Sequence, residues 1–206
     1  VESAEEYPVT QTISDSATEI VIESAVLAEN INRSLFATAQ DELRPVMNGI
    51  YFDLTPECLA IVASDGHKLV RNKILNIHSE QPASFILPKK PASLLKTLLS
   101  KDGEDVIIRF DERNALIDYT DGEITCRLIE GRYPNYNSVI PQSNPNQLTV
   151  DRQGLLAALR RVQPFASDSS NLIRFHVEGG TLQLDAEDYD FSKTATERMS
   201  CQYDGQ

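Results

Sequence analysis

Ser84-Phe85-Ile86-Leu87-Pro88-Lys89-Lys90-Pro91-Ala92-Ser93-Leu94-Leu95-Lys96-Thr97-Leu98-Leu99 changes its period in mid-course. The first four residues form an apolar run of strand length. Pro91 then fits the first turn of a helix, where a missing N–H leaves no hydrogen bond unmade. Leu94, Leu95, Leu98 and Leu99 follow as an apolar helical stripe. Three strands come next, at 106–110, 115–119 and 124–128, with Asp121-Gly122 as a turn between the last two. The stretch therefore opens a strand–helix–strand–strand–strand unit.

The same unit reads twice more along the chain. Upstream, Ile20-Val21-Ile22 leads into a helix with Leu27, Ile31 and Leu35 on one face and Ser24 as its expected N-cap. Strands at 49–54 and 58–63 follow, joined by Thr55-Pro56-Glu57, and then one near 68–71. Downstream, Leu148-Thr149-Val150 precedes Asp151, an expected N-cap, and a stripe of Leu155, Leu156, Leu159 and Val162. Strands at 173–177 and 181–185 flank Glu178-Gly179-Gly180, and a last strand lies near 194–202. A lone unit exposes apolar faces, so neighbouring units are expected to pair. The polar, proline-bearing run Pro141-Gln142-Ser143-Asn144-Pro145-Asn146 reads as a linker before the third unit.

The 206 residues carry 19 Lys+Arg and 31 Asp+Glu, a net charge of −12. That excludes binding of nucleic acid by bulk charge and attraction to an anionic membrane. The charge is unevenly spread, however. Residues 88–101 hold Lys89, Lys90, Lys96 and Lys101 with no acid, and residues 151–164 hold Arg152, Arg160 and Arg161 against Asp151 alone. Both positive segments are helical. If the helices of successive units line one side of a curved sheet, that side is basic and the exterior acidic, which suits a polyanion held without base contacts.

At 41% hydrophobic the chain can build a core. No apolar run reaches the ~18 residues of a membrane span. Three widely spaced cysteines, Cys58, Cys126 and Cys201, suggest neither a disulfide framework nor a zinc site, and point to a reducing compartment. The chain begins at Val1 without an initiator Met, and is read as a fragment of a longer protein.

Four blocks carry a specific resemblance: 44–50 (Arg44-Pro45-Val46-Met47-Asn48-Gly49-Ile50), 62–69 (Val62-Ala63-Ser64-Asp65-Gly66-His67-Lys68-Leu69), Leu87-Pro88-Lys89-Lys90, and 130–136 (Glu130-Gly131-Arg132-Tyr133-Pro134-Asn135-Tyr136) continued by Val139-Ile140-Pro141. In order and spacing they resemble the bacterial DNA polymerase III beta subunit family, the replicative sliding clamps. The resemblance implies an α+β DNA-clamp fold, with helices on the inner face of a curved antiparallel sheet. It implies that residues 1–18 are the tail of a first clamp domain, 19–146 a complete second domain and 147–206 the first half of a third. In that family two three-domain chains close head-to-tail as a homodimeric ring around duplex DNA, without reading its sequence. The ring tethers the polymerase III catalytic subunit. That subunit, the clamp loader and repair polymerases dock by short linear peptides. No cofactor, metal or catalysis is implied, and the location is cytoplasmic.

Residue by residue, the resemblance places the partner-peptide pocket at Met47, Ser64, Gly66, His67, Lys68, Leu69, Pro134, Ser138 and Val139. Many relatives carry arginine where Lys68 and Ser138 stand, so two fork-type donors are missing here. Lys89 and Lys90 match a basic pair facing DNA. Lys96, Arg33, Arg160 and Arg161 are candidates by helix position only. Phe165 would lie at the ring interface.

Two other readings compete. Asp65 and His67 could serve an enzyme, but no matched nucleophile motif accompanies them. A repeat-built scaffold unrelated to DNA would place the helix charges away from a common face. The acidic run 185–190 lacks the glycine and glutamate of a calcium loop.

Overall fold

The computed structural model describes residues 13–14, 16–99 and 103–205. Most of the expected tail at 1–18 lies outside the described residues, as does Lys101. The chain divides into two compact units, one running through Asn137 and one from Ser138 onward.

The first unit contains β1 (Thr18–Glu23), α1 (Ser24–Leu35), β2 (Gly49–Leu54), β3 (Leu59–Ser64), β4 (Leu69–Ile74), β5 (Ala83–Pro88), α2 (Lys89–Leu98), β6 (Asp105–Phe110), β7 (Asn114–Tyr119) and β8 (Gly122–Arg127). Its two four-stranded sheets run β4-β3-β2-β5 and β1-β6-β7-β8. Each repeat thus sends its first strand into the other repeat's sheet. β1 pairs antiparallel with β6, and β5 antiparallel with β2. The helices α1 and α2 pack together, and both sheets share one core with them. Phe85 joins the sheets: its ring stacks on Phe52 at 4.6 Å and meets Phe110, in the other sheet, at 4.4 Å.

The helical stripes differ in detail from expectation. In α2 the buried residues are Ala92 and Leu95, followed by Leu99 just past the helix, whereas Leu94 and Leu98 are exposed. Small Ala92 occupies the face on which the helix packs. Ser24 is not the N-cap of α1; Glu23 holds that position without a side-chain hydrogen bond, and Ser24 is the buried first helical residue.

The second unit contains β9 (Gln147–Thr149), α3 (Arg152–Val162), β10 (Ile173–Glu178), β11 (Thr181–Asp188), β12 (Lys193–Ser200) and β13 (Gln202–Asp204). Asp151 caps α3 as expected, accepting a 2.6 Å hydrogen bond from the Gly154 N–H. Strands β10, β11 and β12 form an antiparallel meander, and β9 pairs with β13. Val162, Ala158, Leu182 and Leu184 centre a small core, while Leu156 is exposed. Among the described residues the three cysteines are free, with Cys58 buried and the other two partly so.

Candidate peptide-binding and DNA-facing sites

In the first unit three segments converge on the β3–β4 loop. Gly66, at φ +92°, forms the loop's tightest point. That conformation suits glycine because it carries no Cβ. Asp65 organises the turn by accepting 2.9 Å hydrogen bonds from the N–H groups of His67 and Lys68, and it also takes the Lys68 ammonium. Those contacts, led by Lys68, hold the Asp65 carboxyl well below the usual carboxylate range. Ser64 is buried; its Oγ donates to the Lys68 carbonyl at 2.9 Å and accepts from the Gly66 N–H at 3.1 Å.

The second segment is the 3-10 turn Pro45–Met47 and the residue before it. The Arg44 guanidinium stands over Gly66, 3.0 Å from where a Cβ would lie. Asp41 holds it at 2.8 Å. Met47 is buried, with its carbonyl accepting from the Ala39 N–H.

The third segment, 128–137, straps the outer face of the β2–β3 pair. Tyr133 stacks on Tyr51 at 4.6 Å, and Tyr136 donates to Asp53 at 2.7 Å. Burial, seconded by that Asp53 contact, raises the Tyr136 hydroxyl, and burial pushes Tyr133 up to about 12. Gly131 approaches Val46, and Asn137 accepts a 3.1 Å bond from Arg71. Pro134, between Tyr133 and Tyr136 on the strap, is exposed.

Of the expected pocket residues, Ser64, Gly66, His67, Lys68 and Leu69 therefore lie on one loop and the strand ends flanking it. Met47 and Pro134 lie on the two segments that meet it. Ser138 and Val139 belong to the second unit, where Val139 is exposed. Arg44 was not among the expected residues. Its place at the head of the 44–50 block, three residues before Met47, was the available signal. Asp65 has its carboxylate committed to two amides and an ammonium, which leaves it unsuited to act as a general base.

The basic residues divide into paired and unpaired. Arg33 is bound to Glu29, one turn earlier on α1. Arg161 reaches Glu197 of β12 at 2.5 Å. Lys89, Lys90, Lys96 and Arg160 have no ion pair recorded among the described residues. Lys89 and Lys90 open α2, whose first turn contains no acid and whose cap position makes no side-chain hydrogen bond. Two cations beside the positive end of a helix dipole oppose helix stability and favour an approaching anion. Phe165 ends a 3-10 turn after α3 and is partly exposed. No cluster of potential metal ligands occurs among the described residues. No described helix is long and apolar enough to cross a membrane.

Strand-exchanged repeats around a packed helix pair define a DNA-clamp fold. Models of the central and C-terminal domains of the DNA polymerase III beta subunit match residues 21–135 and 137–206. The chain belongs to the DNA polymerase III beta subunit family. It is 29% identical over 194 residues to the beta sliding clamp of Synechococcus elongatus, covering 90% of this chain and 52% of that protein. The beta sliding clamp of Borreliella burgdorferi is 31% identical over 173 residues, covering 84% of this chain and 44% of that protein. The crystal structure of the Pseudomonas aeruginosa DNA polymerase III subunit beta superposes with a TM-score of 0.93 at 25% identity, covering all of this chain and 56% of that one. The chain spans about half the length of the curated relatives it matches. These relatives are named as clamps, and none of them favours a scaffold unrelated to DNA.

Proposed function

We propose that this chain is the central part of a replication sliding clamp. In this reading residues 1–18 are the end of a first clamp domain, 19–146 the second and 147–206 the first half of a third. A ring completed by further domains encircles duplex DNA and holds the replicative polymerase by topology. It acts as a tether without catalysing a reaction. The observation that carries the reading is the unpaired Lys89–Lys90 pair at the start of α2, in a family member whose net charge is −12. Such a protein can face DNA only with a local basic surface. Lys96 extends that surface along α2, Arg160 offers a further cation on the second unit, and Arg33 contributes less because Glu29 already pairs it. Arg161 contributes less, because Glu197 already neutralises it.

The loop at 64–69, with Met47 and Pro134 of the same unit, receives short partner peptides. Gly66 allows a peptide backbone to approach, and Arg44 supplies the guanidinium that Lys68 and Ser138 do not.

Binding of fluorescent duplex DNA by the 206-residue chain tests the first part. Weak, salt-sensitive binding, equal for linear and circular DNA and reduced by Lys89→Glu with Lys90→Glu, is the expected result. Retention on circular DNA that is lost on linearisation would contradict the view that this chain alone cannot close a ring. For the pocket, a peptide from a polymerase C-terminus should bind the wild type and lose affinity in His67→Ala and Gly66→Ala. Unchanged affinity in both variants would remove the pocket from this loop.

A further inference from the structure

One hydroxyl in the first unit is buried and unmet. Tyr133 is 7% exposed, and its hydroxyl makes no hydrogen bond of normal geometry among the described residues. Burial takes such a group from water, so a hydroxyl left without a partner is rare and needs a reason.

The ring that carries it is held fast. Residues 49, 51 and 53 of β2 point outward, and each takes one residue of the strap. A Cβ on Gly49 would lie 2.9 Å from the Ile129 side chain. Tyr51 stacks on Tyr133 with the rings within 1° of parallel, and Asp53 accepts from Tyr136. The Ile129 N–H is also bonded to the Ile86 carbonyl at 3.1 Å. The Tyr133 hydroxyl therefore cannot swing toward another partner.

Beside it lies the backbone of Ser64, the first residue of the peptide loop. Burial raises the Tyr133 hydroxyl to about 12, and the Ser64 N–H acts in the opposite direction. The paired register of β2 and β3 ends at Tyr51 opposite Val62, short of Ser64. On the β4 side the Asp65 N–H carries the bond to the Lys68 carbonyl. Alternation along an antiparallel strand then turns the Ser64 N–H away from β4 and toward β2. The Ser64 Oγ ties the Lys68 carbonyl to the Gly66 N–H, so the loop and the Ser64 backbone shift together.

We propose that Tyr133 is a positioning residue for the peptide loop: a peptide touching both Pro134 on the strap and the loop at 66–69 draws the loop against the strap, and the Ser64 N–H then donates to the Tyr133 hydroxyl. The bond is unmade in the free protein and made in the complex, so it favours the bound state alone. The inference rests on the peptide-binding reading of this loop.

In the 206-residue chain, Tyr133→Phe keeps the ring on Tyr51 and removes only the hydroxyl. Its urea midpoint should equal or exceed that of the wild type, because the free protein loses no hydrogen bond. Its affinity for the polymerase C-terminal peptide should still fall roughly two- to tenfold, the net worth of one hydrogen bond. Exchange of the Ser64 amide, followed by NMR, should slow on peptide addition in the wild type and not in the variant. A lower midpoint in Tyr133→Phe would show that the hydroxyl already has a partner and would overturn the proposal, as would a Ser64 amide indifferent to the peptide. If His67→Ala and Gly66→Ala lose affinity while Tyr133→Phe binds like the wild type, this proposal alone falls. If the wild type binds no peptide, or none of the three variants loses affinity, the loop is not the pocket and both readings fall.

Discussion

Phe85 carries more of the first unit than its size suggests, because it touches both halves of an exchange. It leaves its own repeat on β5, stacks on Phe52 of the other repeat, and meets Phe110 at 4.4 Å. Phe85→Ala should cost about 3–5 kcal/mol, the range for large aromatics lost from a close-packed core. Urea unfolding will read this as a lower midpoint with an unchanged slope. Exposed Leu94→Ala, one helix away, should move the midpoint little. Cys126 gives a second readout at this scale. Burial pushes its thiol up to about 11. The thiolate is the reactive form, so alkylation near pH 8 should be roughly a hundredfold slower than for a free cysteine. The sign for stability follows: a folded value above the unfolded one favours the fold while the thiol stays protonated, and that contribution is lost as pH rises from about 9 through 11. An alkylation rate equal in native and urea-unfolded protein would contradict the burial.

At the scale of elements, α2 sets function against stability. Lys89 and Lys90 sit at the positive end of its dipole with no acid in the first turn. Lys90→Glu should therefore stabilise the unit by about 0.3–1 kcal/mol. The same change should weaken DNA binding and make it less dependent on salt. A substitution that raises the thermal midpoint and lowers affinity together separates an anion-facing role from a merely solvated helix; a fall in both would refute it. The element also shows what was legible beforehand. The strand-to-helix change of period at 84–99 was readable, and so was the Asp151 cap, because both depend on neighbours in sequence. The inward face of α2 was not. Leucines at 94, 95, 98 and 99 cover two adjacent faces, and the choice between them is made by how closely α1 and α2 pack, which favours Ala92. Strand exchange was equally hidden: alternation assigns β5 a buried face but does not say that its partner lies about 35 residues upstream in β2. The loop at 65–68 was legible as a motif, whereas Arg44 over Gly66 required tertiary structure.

For the whole molecule, the two units differ in how complete their cores are. The first buries residues from seven strands and two helices in one cluster, and the second has a cluster of six buried residues. Hydrophobic stabilisation grows with apolar area removed from water, so the second unit should be the weaker. Unfolding should then occur in two steps, with amide protection lost first in β10–β12 and later in β2 and β3. A single cooperative transition would contradict separate cores.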